Sequence, residues 1–192
     1  MNKGSLPKPV SPDFRKIYDL FDEVSPLPFD CGTLCGAACC RGEEDGEEEL
    51  GIYLLPGEAS LHDRTDPWLT WSEDAAEDYD FPQSWTGTVD FVTCSGPEHC
   101  RRALRPIQCR TFPLLPHLAE DGTLYMILCD TELPYLCPLL EDPSQIRPDF
   151  VKNALRAWKL LLEGPLIRDL VEYDSRARDE EGADYTVALT DE

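Results

Sequence analysis

The chain has 192 residues, enough for one domain with a sizeable core, and 42 % of them are hydrophobic. Its 38 acidic against 17 basic residues give a formal net charge of −21, which repels phosphate backbones and anionic lipid headgroups. That charge argues against nucleic-acid and membrane binding as main functions, and leaves solubility, or attraction of cations or of a basic protein partner, as its use.

Residues 1 to 12 form a polar, proline-spaced lead-in with no apolar segment behind the lysines, so no signal peptide is expected. Ser11-Pro12-Asp13 reads as a helix start, and Phe14, Ile17, Tyr18 and Phe21 recur at helical spacing. The pattern predicts an amphipathic helix through about Val24, ended by Pro26 and Pro28. From Cys31 to Gly42 glycines and cysteines alternate, a composition for a loop folded around something. Glu43 to Glu49 read as a solvated acidic loop.

Ile52 to Leu55 predict a short strand, and Pro56-Gly57-Glu58 a helical turn through Leu61. Residues 62 to 84 are acidic and aromatic without a clean period. Val89 to Thr93 and Thr123 to Leu128 predict strands that end on Cys94 and Cys129. Pro148 opens the clearest helix, with Val151, Ala154, Leu155, Trp158, Leu161 and Leu162 on one face. Gly164-Pro165 breaks it, a short helix follows through Val171, and Asp174 to Glu192 read as a charged, loosely held tail. The expected fold is α+β: short strands and irregular loops around a cysteine site, with C-terminal helices. The expected divisions are 1–28, an N-terminal segment; 29–140, the cysteine-bearing domain; 141–173, helices packed on it; and 174–192, the acidic tail.

No membrane-length apolar stretch is present, so the expected compartment is the reducing cytoplasm. Nine cysteines there read as metal ligands sooner than as disulfides. They fall as Cys31, Cys35, Cys39 and Cys40, then Cys94, Cys100 and Cys109, then Cys129 and Cys137, with 53 residues between the first two groups. Zinc and iron–sulfur centres both favour four thiolates, so the set suits one or two sites if the fold brings the groups together. The adjacent Cys39 and Cys40 are expected to diverge, one packing or each serving a different metal. Cys129, at the end of an apolar strand, is expected to pack as a small hydrophobe.

Arg105 and Arg110 flank Cys109 in an otherwise acidic chain, where guanidinium groups would offset thiolate charge; Arg110, next to a candidate ligand, is the stronger expectation. His99 is expected to be partly exposed and not a ligand, and His62 and His117 lack metal spacing. No phosphate loop, dinucleotide fingerprint or nucleophile elbow occurs. A radical-enzyme cluster motif is off by one residue, because Ala38 stands where a cysteine is needed.

The run FDCGTLCGAACCRG, then GIYLLPGE, a C-x5-C pair, LRPIQCRTFPL and Cys137-Pro138-Leu139 resemble the YkgJ-type cysteine-cluster proteins, described as zinc- or iron-chelating. The resemblance spans about residues 29 to 140. It implies a metal site on Cys31, Cys35, Cys39, Cys40, Cys100, Cys109 and Cys137, together with Cys94. A related cysteine-rich region occurs in flagellin lysine methylases. Three functions therefore stand as expectations: a zinc- or iron-binding protein, an iron–sulfur cluster included; a redox or protein-modifying enzyme using the cluster; or a zinc-stabilised interaction module.

Overall fold

The computed structural model describes residues 11–41 and 51–190. The acidic run Glu43 to Glu49 and most of the N-terminal lead-in lie outside them. The chain is mixed α+β, with two antiparallel three-stranded sheets and its longest helices near the C-terminus. Among the described residues no helix is long and apolar enough to cross a membrane.

Helix α1 (Phe14–Asp19) is capped by Asp13, whose side chain accepts from Lys16 N. It is shorter than its apolar spacing predicts. After Asp19 the backbone tightens into turns, with Phe21 N bonded to Tyr18 O and Val24 N to Phe21 O, on the approach to Pro26. Two single-turn helices follow, α2 (Gly32–Cys35) and α3 (Ala38–Arg41). Gly36 and Ala37, at φ 63° and 60°, turn the chain between them.

Strand β1 (Gly51–Tyr53) leads to a 3-10 turn at Glu58–Leu61, as the sequence predicts. β2 (Leu69–Ala75) pairs along its length with β3 (Thr88–Cys94), and the sheet order is β1-β3-β2. β2 is not legible in the sequence because it is an edge strand: Ser72 and Glu73 face solvent, so alternation is lost. A small core of Leu54, Trp68, Leu69 and Val92 backs this sheet, and Cys94 and Cys100 pack against it.

Helix α4 (Ile107–Thr111) carries Cys109. It is followed by β4 (Leu114–Leu118) and β5 (Leu124–Leu128). β4 was hidden by Pro116, which an edge strand tolerates because one side of it needs no ladder bond. After α5 (Pro138–Glu141), α6 (Pro148–Leu161) presents the expected buried face.

The C-terminal stretch departs most from expectation. Helix α7 runs over Pro165–Glu181, and β6 (Val187–Thr190) adds a third strand to β4 and β5. Where a loose tail is expected, the chain is helical to Glu181 and forms a strand again at Val187–Thr190. The buried stripe of α7 continues from Ile167, Leu170 and Val171 to Ser175. Ser175 Oγ donates to Val171 O at 2.6 Å and accepts from Leu118 N at 2.8 Å, so a polar residue holds a core position. The main core joins α1, α6 and α7 with the second sheet, drawing on residues from Phe14 to Val171.

Candidate metal centre

The fold closes the 53-residue gap. Cys39 and Cys40 on α3, Cys94 at the end of β3, Cys100, and Cys109 on α4 border one cavity of about 310 Å³. Its other walls are largely apolar, with Ile52, Val92, Phe112, Leu133 and Tyr135. All nine cysteines are free thiols. Among the described residues, no three cysteine, histidine, aspartate or glutamate side chains converge closely enough to enclose a single ion.

Each arm is built differently. Cys31 to Cys40 sit on short helices with no buried residue, shaped by the turn at Gly36 and Ala37. Asp30 starts the arm: its Oδ1 accepts from Gly32 N at 3.1 Å, and its other oxygen pairs with Arg102 at 2.7 Å. That pair ties the first cysteine group to the second. The sulfurs of Cys39 and Cys40 lie 3.9 Å apart. Adjacency does not make them diverge, contrary to expectation.

Arg105 is the cation at the sulfurs. Its Nε donates to Cys100 Sγ at 3.3 Å; burial works against its charge, but that bond and the sulfurs of Cys100, Cys40 and Cys109 outweigh it and hold the guanidinium protonated. Arg110, the stronger expectation for this role, touches no sulfur. Only 7 % exposed, it donates to the backbone carbonyls of Arg105 (2.9 Å), Arg102 (3.0 Å) and Tyr18 (3.2 Å), and lies 4.3 Å over the Tyr18 ring. The sequence signal was adjacency to Cys109. Adjacency does not bring the Arg110 guanidinium to the sulfur, because three backbone carbonyls take up its donors.

The thiols raise one another's affinity for protons. Burial, then the nearby Cys100 and Cys40, push Cys94 up to about 11. Cys109 opens on the cavity mouth, yet the protein mass around it, then Cys94 and Cys40, push it up to about 12. Cys31 is raised by burial and by Asp30. Within the coupled pair Cys40 is lowered, first by the hydrogen bond from Cys39 and further by Arg105, while Cys39 is raised. Cys40 apart, thiols crowded in this way hold their protons more tightly than free ones.

The remaining cysteines lie to one side. Burial, and then the nearby Cys35 and Cys129, raises Cys137, and Tyr135, which lines the cavity, is raised by burial and then by Cys39, Cys129, Cys137 and Cys109. Cys129 is only half-buried, with Thr131 Oγ1 3.8 Å from its sulfur, so it is not the enclosed apolar side chain expected. A second cleft, of about 440 Å³, opens against Cys31, Cys39 and Cys109 and is lined by Arg102, Arg105, Asp30 and Phe29. His99 is exposed, while His62 and His117 are buried and border neither cavity.

Sequence reasoning missed Glu58. It is fully buried, and its carboxylate accepts from Tyr18 Oη (2.6 Å), Ile107 N (2.6 Å) and Leu55 N (3.0 Å). The only signal was a single acid directly after the apolar run Leu54-Leu55-Pro56, which also reads as an ordinary first-turn helix acid. The chain matches no protein-family model, no curated protein and no solved structure.

Proposed function

We propose that this chain binds zinc or iron, an iron–sulfur cluster included, through thiolates brought together from its two cysteine groups. The observation that carries the reading is the shared cavity of Cys39, Cys40, Cys94, Cys100 and Cys109, with Arg105 bonded to Cys100. The donor set suits such a group: soft sulfur ligands select zinc and iron–sulfur centres, and a guanidinium offsets their negative charge. Cys31, Cys35 and Cys137 complete the proposed ligand set. The YkgJ-type resemblance supports the same chemistry, and a cytoplasmic setting would keep the thiols reduced.

An enzymatic role, redox or protein-modifying, draws on a separate observation. The second cleft reaches Cys31, Cys39 and Cys109 from the outside, giving another molecule access to the thiols.

Anaerobic purification followed by metal and acid-labile sulfide analysis tests the proposal. Stoichiometric zinc in a colourless protein, or iron in a brown one, is the expected result. Serine replacements at Cys94, Cys100 and Cys109 should lower that content. Protein that carries no metal and takes up neither zinc nor iron under reducing conditions would overturn it.

A further inference from the structure

The segment that carries Cys100 and Cys109 is held by a buried polar frame and not by apolar packing alone. At its centre is Glu58, whose three donors come from three parts of the chain. Leu55 N belongs to the stretch leaving β1, and Leu54 N beside it is bonded to Asp90 O of β3, the strand that ends on Cys94. Ile107 N opens α4, two residues before Cys109. Tyr18 Oη comes from α1. The Tyr18 ring in turn carries the Arg110 guanidinium, which fixes Arg102 O and the carbonyl of Arg105, the arginine that bonds Cys100. Gln108 Nε2 adds a bond to Tyr53 O at 2.8 Å, between α4 and β1.

A buried carboxylate is costly to desolvate, and two of its three donors here are backbone N–H groups that can do nothing but donate. The arrangement therefore accepts only an acceptor at position 58. The opposite arm has no such frame: α2 and α3 bury no residue.

We propose that Glu58 is a positioning residue of the thiolate site, holding Cys94, Cys100 and Cys109 in place for a cation that the Cys31 to Cys40 arm then covers. This rests on the metal-binding reading above. Removing the acceptor releases the start of α4 and moves Cys109 relative to Cys94, while every thiol remains present. Residues that orient ligands from behind are worth about 10- to 100-fold in metal affinity.

The test uses cobalt(II) as the probe, added anaerobically to reduced protein against a competing chelator. The intensity of the sulfur-to-cobalt charge-transfer band reports how many thiolates reach the ion. Glu58→Gln turns one acceptor oxygen into a donor, so the side chain cannot accept from Leu55 N and from Ile107 N together. The variant should bind about 10- to 100-fold more weakly than the native protein, with a weaker band per bound cobalt. Glu77→Gln, the same change at an exposed position, should match the native protein in both. Native affinity and band intensity in Glu58→Gln would overturn the proposal even if that variant were less stable, because a purely structural role predicts that result. Should Glu58→Gln fail to fold, Tyr18→Phe removes one of the three donors and keeps the ring. It should shift affinity and band in the same direction by less, and native values in both would equally overturn the assignment. A native protein that binds no cobalt, zinc or iron refutes the metal reading itself, and the positioning role falls with it.

Discussion

Replacing Asp174 by Asn should stabilise this protein at neutral pH. Asp174 lies on α7, half-buried, and burial followed by the nearby Asp80 raises its carboxyl from 3.8 to about 6, against the opposing pull of Arg178. Arg178 is itself engaged with Asp130, its Nε 3.3 Å from that carboxylate. The native state thus binds the Asp174 proton more tightly than the unfolded chain does. Stability attached to this group is present below about pH 4 and is lost as pH rises to about 6, with the full cost incurred above that. A rise of that size corresponds to about 3 kcal/mol, and the share of the group still facing water reduces this to about 1–2 kcal/mol. Asparagine keeps the shape without the charge. Urea unfolding followed by tryptophan fluorescence under reducing conditions, at intervals from pH 4 to pH 8, measures the difference directly. The two proteins should coincide near pH 4 and separate by about 1–2 kcal/mol above pH 6.5, roughly 0.5–1 M in midpoint. A difference that stays constant across the range, or an Asn variant less stable at pH 7, would refute the reasoning.

Arg110→Lys should cost about 2–4 kcal/mol in the same unfolding assay. A single ammonium cannot serve three carbonyls in different directions, and the stacking on Tyr18 is lost. Stripping metal from the loaded protein should raise hydrogen exchange across residues 31–41 and leave α6 protected. The arm buries none of its helical residues, whereas α6 buries Phe150, Val151, Ala154, Leu155, Ala157, Trp158 and Leu161. Equal protection of residues 31–41 in both states would mean the arm is ordered without a cation.

Where hydrophobic periodicity is strong, the chain is easy to read. α6 begins at Pro148 as expected because one apolar face continues for its whole length. Periodicity misleads where a polar residue holds a core position: Ser175 breaks the apolar stripe of α7 to the eye, yet two hydrogen bonds let it stay buried. Edge strand β2 escapes for a different reason, since it leaves Thr70, Ser72 and Glu73 exposed, whereas β4 is almost wholly buried and is hidden by Pro116. Within the candidate site, Cys39 and Cys40 border one cavity with Cys94, Cys100 and Cys109, a meeting that grouping in the sequence left conditional on the fold. The roles of the two arginines were not legible. They depend on the direction each side chain leaves its backbone, which spacing leaves open for Arg105 and adjacency misstates for Arg110.

The position of β6 bears on how the chain is made. It completes a sheet with β5, yet it lies 50 residues after Cys137, which is the last of the nine thiols. Synthesis proceeds at about 5–20 residues per second, so every cysteine emerges several seconds before the second sheet can close. During that interval the main core lacks α6, α7 and β6, while the whole proposed ligand set is outside the ribosome. On the metal-binding proposal, capture of a cation, or mispairing of thiols in its absence, can therefore precede closure of the second sheet.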